Sequence, residues 1–411
     1  MESAHEAGGW PRLAAAVADQ VVVTVIQELH RAVSDGTYRW LGPPARPVQR
    51  STDAISGATF RTVRAGLRRA GELGAFLAGA RAVDEELGAT TLSTPPSRAA
   101  TKARAIAHGV VAQQVLEAAP ELDQEVTFRV VERVGPVEPA RLPGLLPVTT
   151  SRLVVFVHGL VDTEQVWLPV DGRGVSLPAG VARSGATPVL VRYGTGRTIA
   201  RNGRDLDRRL GELLASWPVP VTSLTLVGHS MGGLLLRAAC VAAADRGEQW
   251  LDRLDDIVYL GTPHLGSWLE KVANVTSWTL RHASSRSAPM GRFLDARSQG
   301  IKDLRFGTTD ETAWAAGSID GLLTGRPQDA PWLERARHHL VVGRLHPDPR
   351  HPLNSLLGDA LVRADSAAAS GRFRRIEGVE PPSVTAVGAS HTRLPRDPEV
   401  ARVLTGVLAA A

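Results

Sequence analysis

A serine between two glycines, at residues 228–232 (GHSMG), is the feature of this sequence that most directly suggests chemistry. The spacing fits the G-x-S-x-G turn, in which small residues two positions before and after the serine let a strand and a helix approach closely and expose the hydroxyl. The preceding run, SLTLV, is typical of a buried strand, and the following run, GLLLRAACVAAADRG, of a helix. We therefore predict that Ser230 is a nucleophile; the alternative is a tight structural turn.

A serine nucleophile needs a base, and the base needs an acid that orients it. For this strand–turn–helix arrangement the expected chain order is serine, acid, histidine. His391 ends a predicted strand just before the last helix, so we predict it as the base; the alternative is a surface histidine. Asp359, in LLGDALVRADSA, is the predicted acid, and Asp348 and Asp365 are rivals. A surface salt bridge is the alternative role for all three aspartates.

Two backbone N–H groups are needed to hold the oxyanion of a tetrahedral intermediate. The residue after the nucleophile, Met231, supplies one because the start of a helix leaves its N–H groups without intrahelical acceptors. Leu160 is the predicted second donor, since it follows His158 and Gly159 in the loop after a long apolar strand. His158 itself is predicted to fix that loop rather than to transfer a proton.

Strands and helices alternate over the C-terminal two thirds of the chain. Continuous Val/Leu runs separated by helical segments predict a mostly parallel sheet flanked by helices, an α/β fold. Asp397 is the predicted N-cap of the last helix, with proline in its first turn. The predicted strands are 126–134, 152–160, 187–196, 223–230, 255–266, 338–344 and 383–391.

The rest of the chain predicts two further regions. Residues 1–125 have a helical apolar pattern and form a predicted N-terminal helical region, followed by a catalytic domain over 126–411. Residues 39–69 contain seven arginines and one acid, which predicts either a solvated helix face or a patch that contacts anionic lipid or polymer surfaces. Residues 266–335 leave the strand–helix rhythm and are predicted to form a lid; an ordinary core-packing helix is the alternative for its apolar stretch.

The composition of the sequence restricts the partners and the cell compartment that we expect for the protein. The formal charge of +5 is small for 411 residues and no nucleic-acid-binding module is recognisable, so we expect no nucleic-acid partner. Cys240 is the only cysteine, which excludes an intrachain disulfide. Neither a signal peptide nor an apolar run long enough to span a membrane is recognisable, and we expect a cytoplasmic protein, with peripheral membrane contact through the arginine-rich region as an open alternative.

The motifs FVHGL, GHSMGG, LGTPHLGS and GDALVRADSA, followed by His391, together resemble the α/β-hydrolase superfamily on its lipase and esterase side. The resemblance, which is closest to bacterial triacylglycerol lipases, runs from about residue 153 to the C-terminus. The acid loop reads Gly358-Asp359-Ala360 where many relatives have Asn-Asp-Gly. The resemblance implies an α/β-hydrolase fold and a serine carboxylester hydrolase that needs no organic cofactor; we predict no metal site.

The predicted activity is hydrolysis of carboxylic esters through an acyl-enzyme, with a small-molecule acyl ester as substrate. An apolar lid over a serine favours a lipophilic acyl group. Two alternatives stay open at this point. An acyltransferase would use the same triad with an alcohol or thiol in place of water. A catalytically idle hydrolase fold would instead bind a membrane or a partner through its N-terminal region.

Overall fold

The computed structural model describes the strands and helices that surround the predicted site. The described stretches are residues 123–130, 136–169, 174–265, 332–344, 364–367 and 381–410, with isolated positions 61, 64, 65, 68, 69, 72, 105, 109, 172, 299, 303, 359 and 362. Most of the predicted N-terminal helical region and of the predicted lid lies outside them. The chain divides into two compact units, and the sheet belongs to the unit that comprises residues 95–109, 124–271 and 299–411.

Seven strands of the described residues form one sheet in the order β1-β3-β2-β4-β5-β6-β7. Only β1 runs antiparallel to its neighbour; all other pairs are parallel. The predicted fold class, a mostly parallel sheet flanked by helices, is therefore confirmed. The strands are β1 (Thr127–Arg129), β2 (Arg152–Val157), β3 (Thr187–Arg192), β4 (Ser223–His229), β5 (Leu254–Leu260), β6 (Arg337–Gly343) and β7 (Ser383–Val387).

The helices cover both faces of this sheet. They are α1 (Leu177–Arg183), α2 (Ile199–Ala215), α3 (Met231–Arg246), α4 (Ala364–Ala367) and α5 (Pro398–Ala410). Side chains of successive strand residues point to opposite faces. In β2, Val155 packs in one apolar cluster with residues of α2 and α3, while Val154 and Phe156 pack in another with residues of α1 and α5. This double coverage explains why the strands are continuously apolar rather than alternating.

The helix signals in the sequence correspond to local structure. The sequence spacing places four leucines on one side of α2; Leu206, Leu210 and Leu213 are fully buried there, and Leu214 is partly buried. Asp397 caps α5 as predicted, because its carboxylate accepts a hydrogen bond of 2.8 Å from the backbone N–H of Glu399. Among the described residues, no helix combines the length and the apolar character required to cross a bilayer.

The predicted strands extend past the C-terminal ends of the observed strands. The prediction for 152–160 ends at Val157 in the structure, and that for 187–196 ends at Arg192. The apolar character continues past the last strand residue because the following loops are buried as well. The predicted strand over 126–134 is a short one, Thr127–Arg129; residues 131–135 lie outside the described part.

Candidate active site

Ser230 lies at the turn between β4 and α3, with φ 53° and ψ −122°. Holding a non-glycine residue at these backbone angles costs on the order of 1–3 kcal/mol of folding free energy, so the conformation persists only where the surrounding structure imposes it. Here the Ser230 N–H donates to the carbonyl of Leu260 at 2.8 Å, and the Ser230 carbonyl accepts from Gly233 at 3.1 Å. Ser230 is half-buried, unlike the fully buried strand behind it. The geometry is that of a nucleophile elbow.

Glycines make this sharp turn sterically accessible. A Cβ on Gly228 would lie 2.7 Å from the backbone nitrogen of Gly233, one turn into the helix. A Cβ on Gly232 would overlap the carbonyl oxygens at the end of β2. Real Cβ atoms do not approach other atoms this closely, so the strand and helix meet at this distance only because both positions lack side chains.

Asp359 and His391 form a buried hydrogen-bonded pair beside the elbow. Nδ1 of His391 lies 2.7 Å from Oδ2 of Asp359, and the two residues are 5% and 1% exposed. The carboxylate can only accept, so Nδ1 of His391 carries the proton and Nε2 is left to take one. The other carboxylate oxygen accepts from the backbone N–H of Val362 at 2.9 Å, and the His391 N–H donates to the Asp359 carbonyl at 2.9 Å.

Of the three candidate acids, Asp359 is the one whose side chain is described. Asp359 contacts His391 directly. Asp348 lies outside the described residues, and for Asp365 only the backbone position, in α4, is described. Two glycines leave room for the Asp359 side chain because they have no side chain of their own. A Cβ on Gly261 would lie 2.9 Å from Oδ2 of Asp359, and a Cβ on Gly343 would lie 2.7 Å from Cβ of Asp359. Neither clearance was predicted, although Gly261 belongs to the LGTPHLGS motif.

The loop after β2 approaches the serine from the other side. A Cβ on Gly159 would lie 3.1 Å from Cβ of Ser230. Val161, two residues later, has φ 52°; Val161 and Ser230 are the non-glycine residues with positive φ in the described part of the chain. The predicted oxyanion donor Leu160 lies in this loop, between these two constrained positions. The other predicted donor, Met231, is the first residue of α3.

His158 holds this loop in place. Its Nδ1–H donates to the Gly159 carbonyl at 2.9 Å, and its Nε2 accepts from the Tyr193 N–H at 3.4 Å. The ring stacks on Tyr193, whose hydroxyl donates to the His158 carbonyl at 2.9 Å. Complete burial lowers the pKa of His158 to about 4, so the ring is neutral at pH 7. With both ring nitrogens engaged, it agrees with the predicted loop-fixing role.

A second hydrogen-bonded set of Ser, His and Asp side chains lies at the opposite ends of the strands. Sequence reasoning missed it. Nε2 of His339 lies 2.7 Å from Oδ1 of Asp256, and Nδ1 of His339 lies 2.8 Å from the hydroxyl of Ser383. These residues lie near the amino-terminal ends of β5, β6 and β7, whereas Ser230 follows the carboxyl end of β4. Only the sheet register brings them together, so no local motif could have revealed them.

This second set of side chains differs from Ser230, His391 and Asp359 in two respects. Arg337 donates to both carboxylate oxygens of Asp256 at 2.8 Å. Burial alone would raise the pKa of Asp256, but hydrogen bonds from His339 and Arg337 outweigh it, and the pKa is lowered. A carboxylate already neutralised by Arg337 stabilises an imidazolium less. Ser383 also begins β7, so the backbone that follows it is a strand and not the start of a helix, whose N–H groups could hold an oxyanion.

A family profile described as "PGAP1-like alpha/beta domain" matches residues 204–282. Comparison with curated proteins gives no significant match. Solved structures with similar folds include the Bacillus licheniformis lipase BlEst2 in its propeptide form, at 16% identity and a TM-score of 0.43 over 64% of this chain and 52% of that one. The match thus spans about half of that lipase chain.

Two further similar structures have shorter chains. The mature form of BlEst2 is 16% identical, with a TM-score of 0.41 over 69% of this chain and 97% of that one. The Pyrococcus furiosus esterase PF2001 is 16% identical, with a TM-score of 0.39 over 64% of this chain and 82% of that one. The strand order, the parallel sheet and the elbow after β4 are those of the α/β-hydrolase fold. The chain is similar to lipases and esterases of that fold.

No group of three or more His, Cys, Asp or Glu side chains in the described part of the chain could hold a metal ion. Cys240 is buried in α3, and burial raises the pKa of its thiol to about 12, which keeps it protonated. The elbow serine and the Asp359–His391 pair lie beside each other at the carboxyl edge of the sheet.

Proposed function

We propose that this protein is a serine hydrolase that cleaves carboxylic esters. Ser230 is the nucleophile, His391 the general base and acid, and Asp359 the group that orients it. The N–H groups of Leu160 and Met231 hold the oxyanion. The observation that carries the proposal is the 2.7 Å hydrogen bond between buried Asp359 and His391, beside a serine held at positive φ.

The proposed reaction follows from this arrangement. Ser230 Oγ attacks the ester carbonyl while Nε2 of His391 takes its proton, and the carbonyl electrons move onto an oxyanion. The imidazolium then protonates the leaving alkoxide, which departs as an alcohol and leaves an acyl-serine. Water attacks the acyl-enzyme with His391 again as base, releases the carboxylic acid and restores Ser230. Asp359 keeps its negative charge and stabilises the imidazolium in both steps.

A lipophilic acyl group is the proposed substrate class. The support comes from the sequence of the predicted lid, which carries apolar side chains at near-helical spacing, among them Trp268, Val272, Val275 and Trp278. An apolar lid would bury an acyl chain and exclude water from the oxyanion. We also propose peripheral contact with lipid surfaces through the arginine-rich residues 39–69, within a cytoplasmic protein.

The test is hydrolysis of p-nitrophenyl esters from short to long acyl chains by the wild type, Ser230→Ala and Ser383→Ala. Loss of the nucleophile should lower kcat by on the order of 10⁶-fold, whereas Ser383→Ala should keep wild-type kcat. The acyl-chain optimum distinguishes an esterase from a lipase. Activity that survives Ser230→Ala would mean that the elbow is only a turn.

The same triad could transfer the acyl group to an alcohol or thiol instead of water. Product analysis with and without an added alcohol acceptor distinguishes the two reactions. A new ester whose yield exceeds that of the acid at low acceptor concentration would identify an acyltransferase. If neither the wild type nor the variants act on any ester, the proposal of a catalytic site fails, and binding of a membrane or partner becomes the remaining hypothesis.

A further inference from the structure

His229, the residue immediately before the nucleophile, contacts the loop of the base as well. Its Nε2 lies 3.0 Å from the backbone carbonyl oxygen of His391. A carbonyl can only accept a hydrogen bond, so Nε2 of His229 carries the proton and donates. The two imidazole rings also pack together, with centroids 4.9 Å apart. The last residue of β4 is therefore bonded directly to the residue proposed as base, which is 162 positions away in the sequence.

His229 is an unusual choice of side chain for a purely apolar packing role. It is 3% exposed, and its Nδ1 has no hydrogen-bond partner among the described residues. Burying an unpaired polar atom destabilises a fold. An apolar residue of the same size would avoid that cost. It would, however, lack the hydrogen bond that Nε2 of His229 donates to His391. Burial lowers the pKa of His229 to about 3, so the ring stays a neutral, fixed donor.

The surroundings of His229 place it between the three parts of the proposed site. A Cβ on Gly159 would lie 3.0 Å from its Nδ1, so the oxyanion loop packs against one side of the ring. The edge of Trp167 faces the ring with centroids 6.5 Å apart. On the remaining side is His391. A displacement of the ring would therefore be transmitted to the base and to the oxyanion loop together.

We propose that His229 is a positioning residue for the base: its Nε2–H fixes the backbone carbonyl of His391 and so the place of the His391 ring beside Ser230. Asp359 fixes the same residue through its ring nitrogen and its backbone N–H. His229 restrains the carbonyl, the one backbone group of His391 that Asp359 does not reach. This inference rests on the proposed function, because it assigns His229 a role in aligning the proposed base.

The test uses a matched pair of amides. The side-chain nitrogen of Gln reaches the position of His Nε2, whereas that of Asn ends one bond short, near Nδ1. His229→Gln should therefore keep kcat within about 5-fold of the wild type, and His229→Asn should lower kcat by about 10- to 100-fold, since a misplacement of about 1 Å costs about 10²-fold. KM should change little in both, because His229 is only 3% exposed and presents almost no surface to a substrate. His229→Leu, which has no donor, should resemble the Asn variant.

Folding is checked independently by the thermal unfolding temperature of each variant. A kcat difference between the Gln and Asn variants at similar unfolding temperatures supports the positioning role. Equal kcat values for the two amides, or a His229→Leu variant as active as the wild type, would overturn it. These outcomes are distinct from failure of the proposed function, which would appear as wild-type ester hydrolysis that is absent or insensitive to Ser230→Ala.

Discussion

Gly261→Ala is the substitution whose effect on the proposed site can be worked out most directly. Gly261 follows β5 with φ 59°, in the left-handed region that favours glycine. A Cβ there would lie 2.9 Å from Oδ2 of Asp359 and 3.1 Å from Nδ1 of His391. Ordinary contacts of a carbon atom begin near about 3.5 Å. Cδ1 of Leu394, which would lie 2.8 Å away, must therefore move, and so must the acid–base pair, by about 0.5 Å.

Gly247→Ala is a matched control. Gly247 ends α3 with φ 66°, and a Cβ there would meet nothing within 4 Å. Both alanines carry the same left-handed backbone cost, about 1–2 kcal/mol of unfolding free energy. Only the alanine at position 261 also meets the Asp359–His391 pair. A displacement of about 0.5 Å should lower kcat/KM by about 10-fold, if a displacement of about 1 Å costs about 10²-fold.

The assay compares kcat/KM for a p-nitrophenyl ester with the free energy of unfolding in urea for both variants. We expect Gly247→Ala to lose stability but to keep wild-type kcat/KM, and Gly261→Ala to lose both. A folded Gly261→Ala protein whose kcat/KM lies within about twofold of the control would refute the reasoning, because the base would then tolerate displacement from the acid.

Three further predictions follow from the same contacts. Asp359→Asn should lower kcat by about 10³–10⁴-fold because an amide cannot hold the imidazolium in the right tautomer, whereas Ser383→Ala should leave kcat unchanged; comparable losses in both variants would contradict the assignment of the site. Burial lowers the pKa of His158 to about 4 and of His229 to about 3, against about 6.5 unfolded. Between these values the unfolded chain binds more protons, so the free energy of unfolding should fall as the pH drops from 7 to 4.5, by up to about 1.4 kcal/mol per pH unit for each histidine; urea unfolding that is flat over this range would show that the rings are not buried neutral. The full-length protein should float with vesicles that contain anionic lipid, and less so at high salt, if residues 39–69 contact lipid surfaces; absence of flotation would contradict that proposal.

The fold and the elbow could be predicted from the sequence because both depend on local signals. The Val/Leu runs of the central strands follow directly from burial on both faces, and Asp397 followed by proline marks the start of α5. The elbow needs only small residues on each side of Ser230, together with a strand before it and a helix after it. These features are encoded within about ten residues.

The arrangement of the acid and the base depends on contacts between distant loops, which spacing alone does not encode. The residues after Asp359, which are typical of a loop that leads into a helix, favoured it over its rivals, and the contact with His391 is consistent with that choice. The clearance that Gly261 provides for this pair is visible only once β5 and the loop before α4 meet. The hydrogen bond from His229 to the carbonyl of His391 likewise joins residues that are far apart in the sequence.

Covalent trapping of the nucleophile tests the central claim most directly. The wild-type protein would be reacted with a long-chain alkyl fluorophosphonate, digested with trypsin and analysed by mass spectrometry. We predict a single phosphonyl adduct on Ser230, within the peptide 210–237, and none on the peptide 376–393 that contains Ser383. An adduct on Ser383, or an unmodified Ser230 in a protein that hydrolyses esters, would contradict the account.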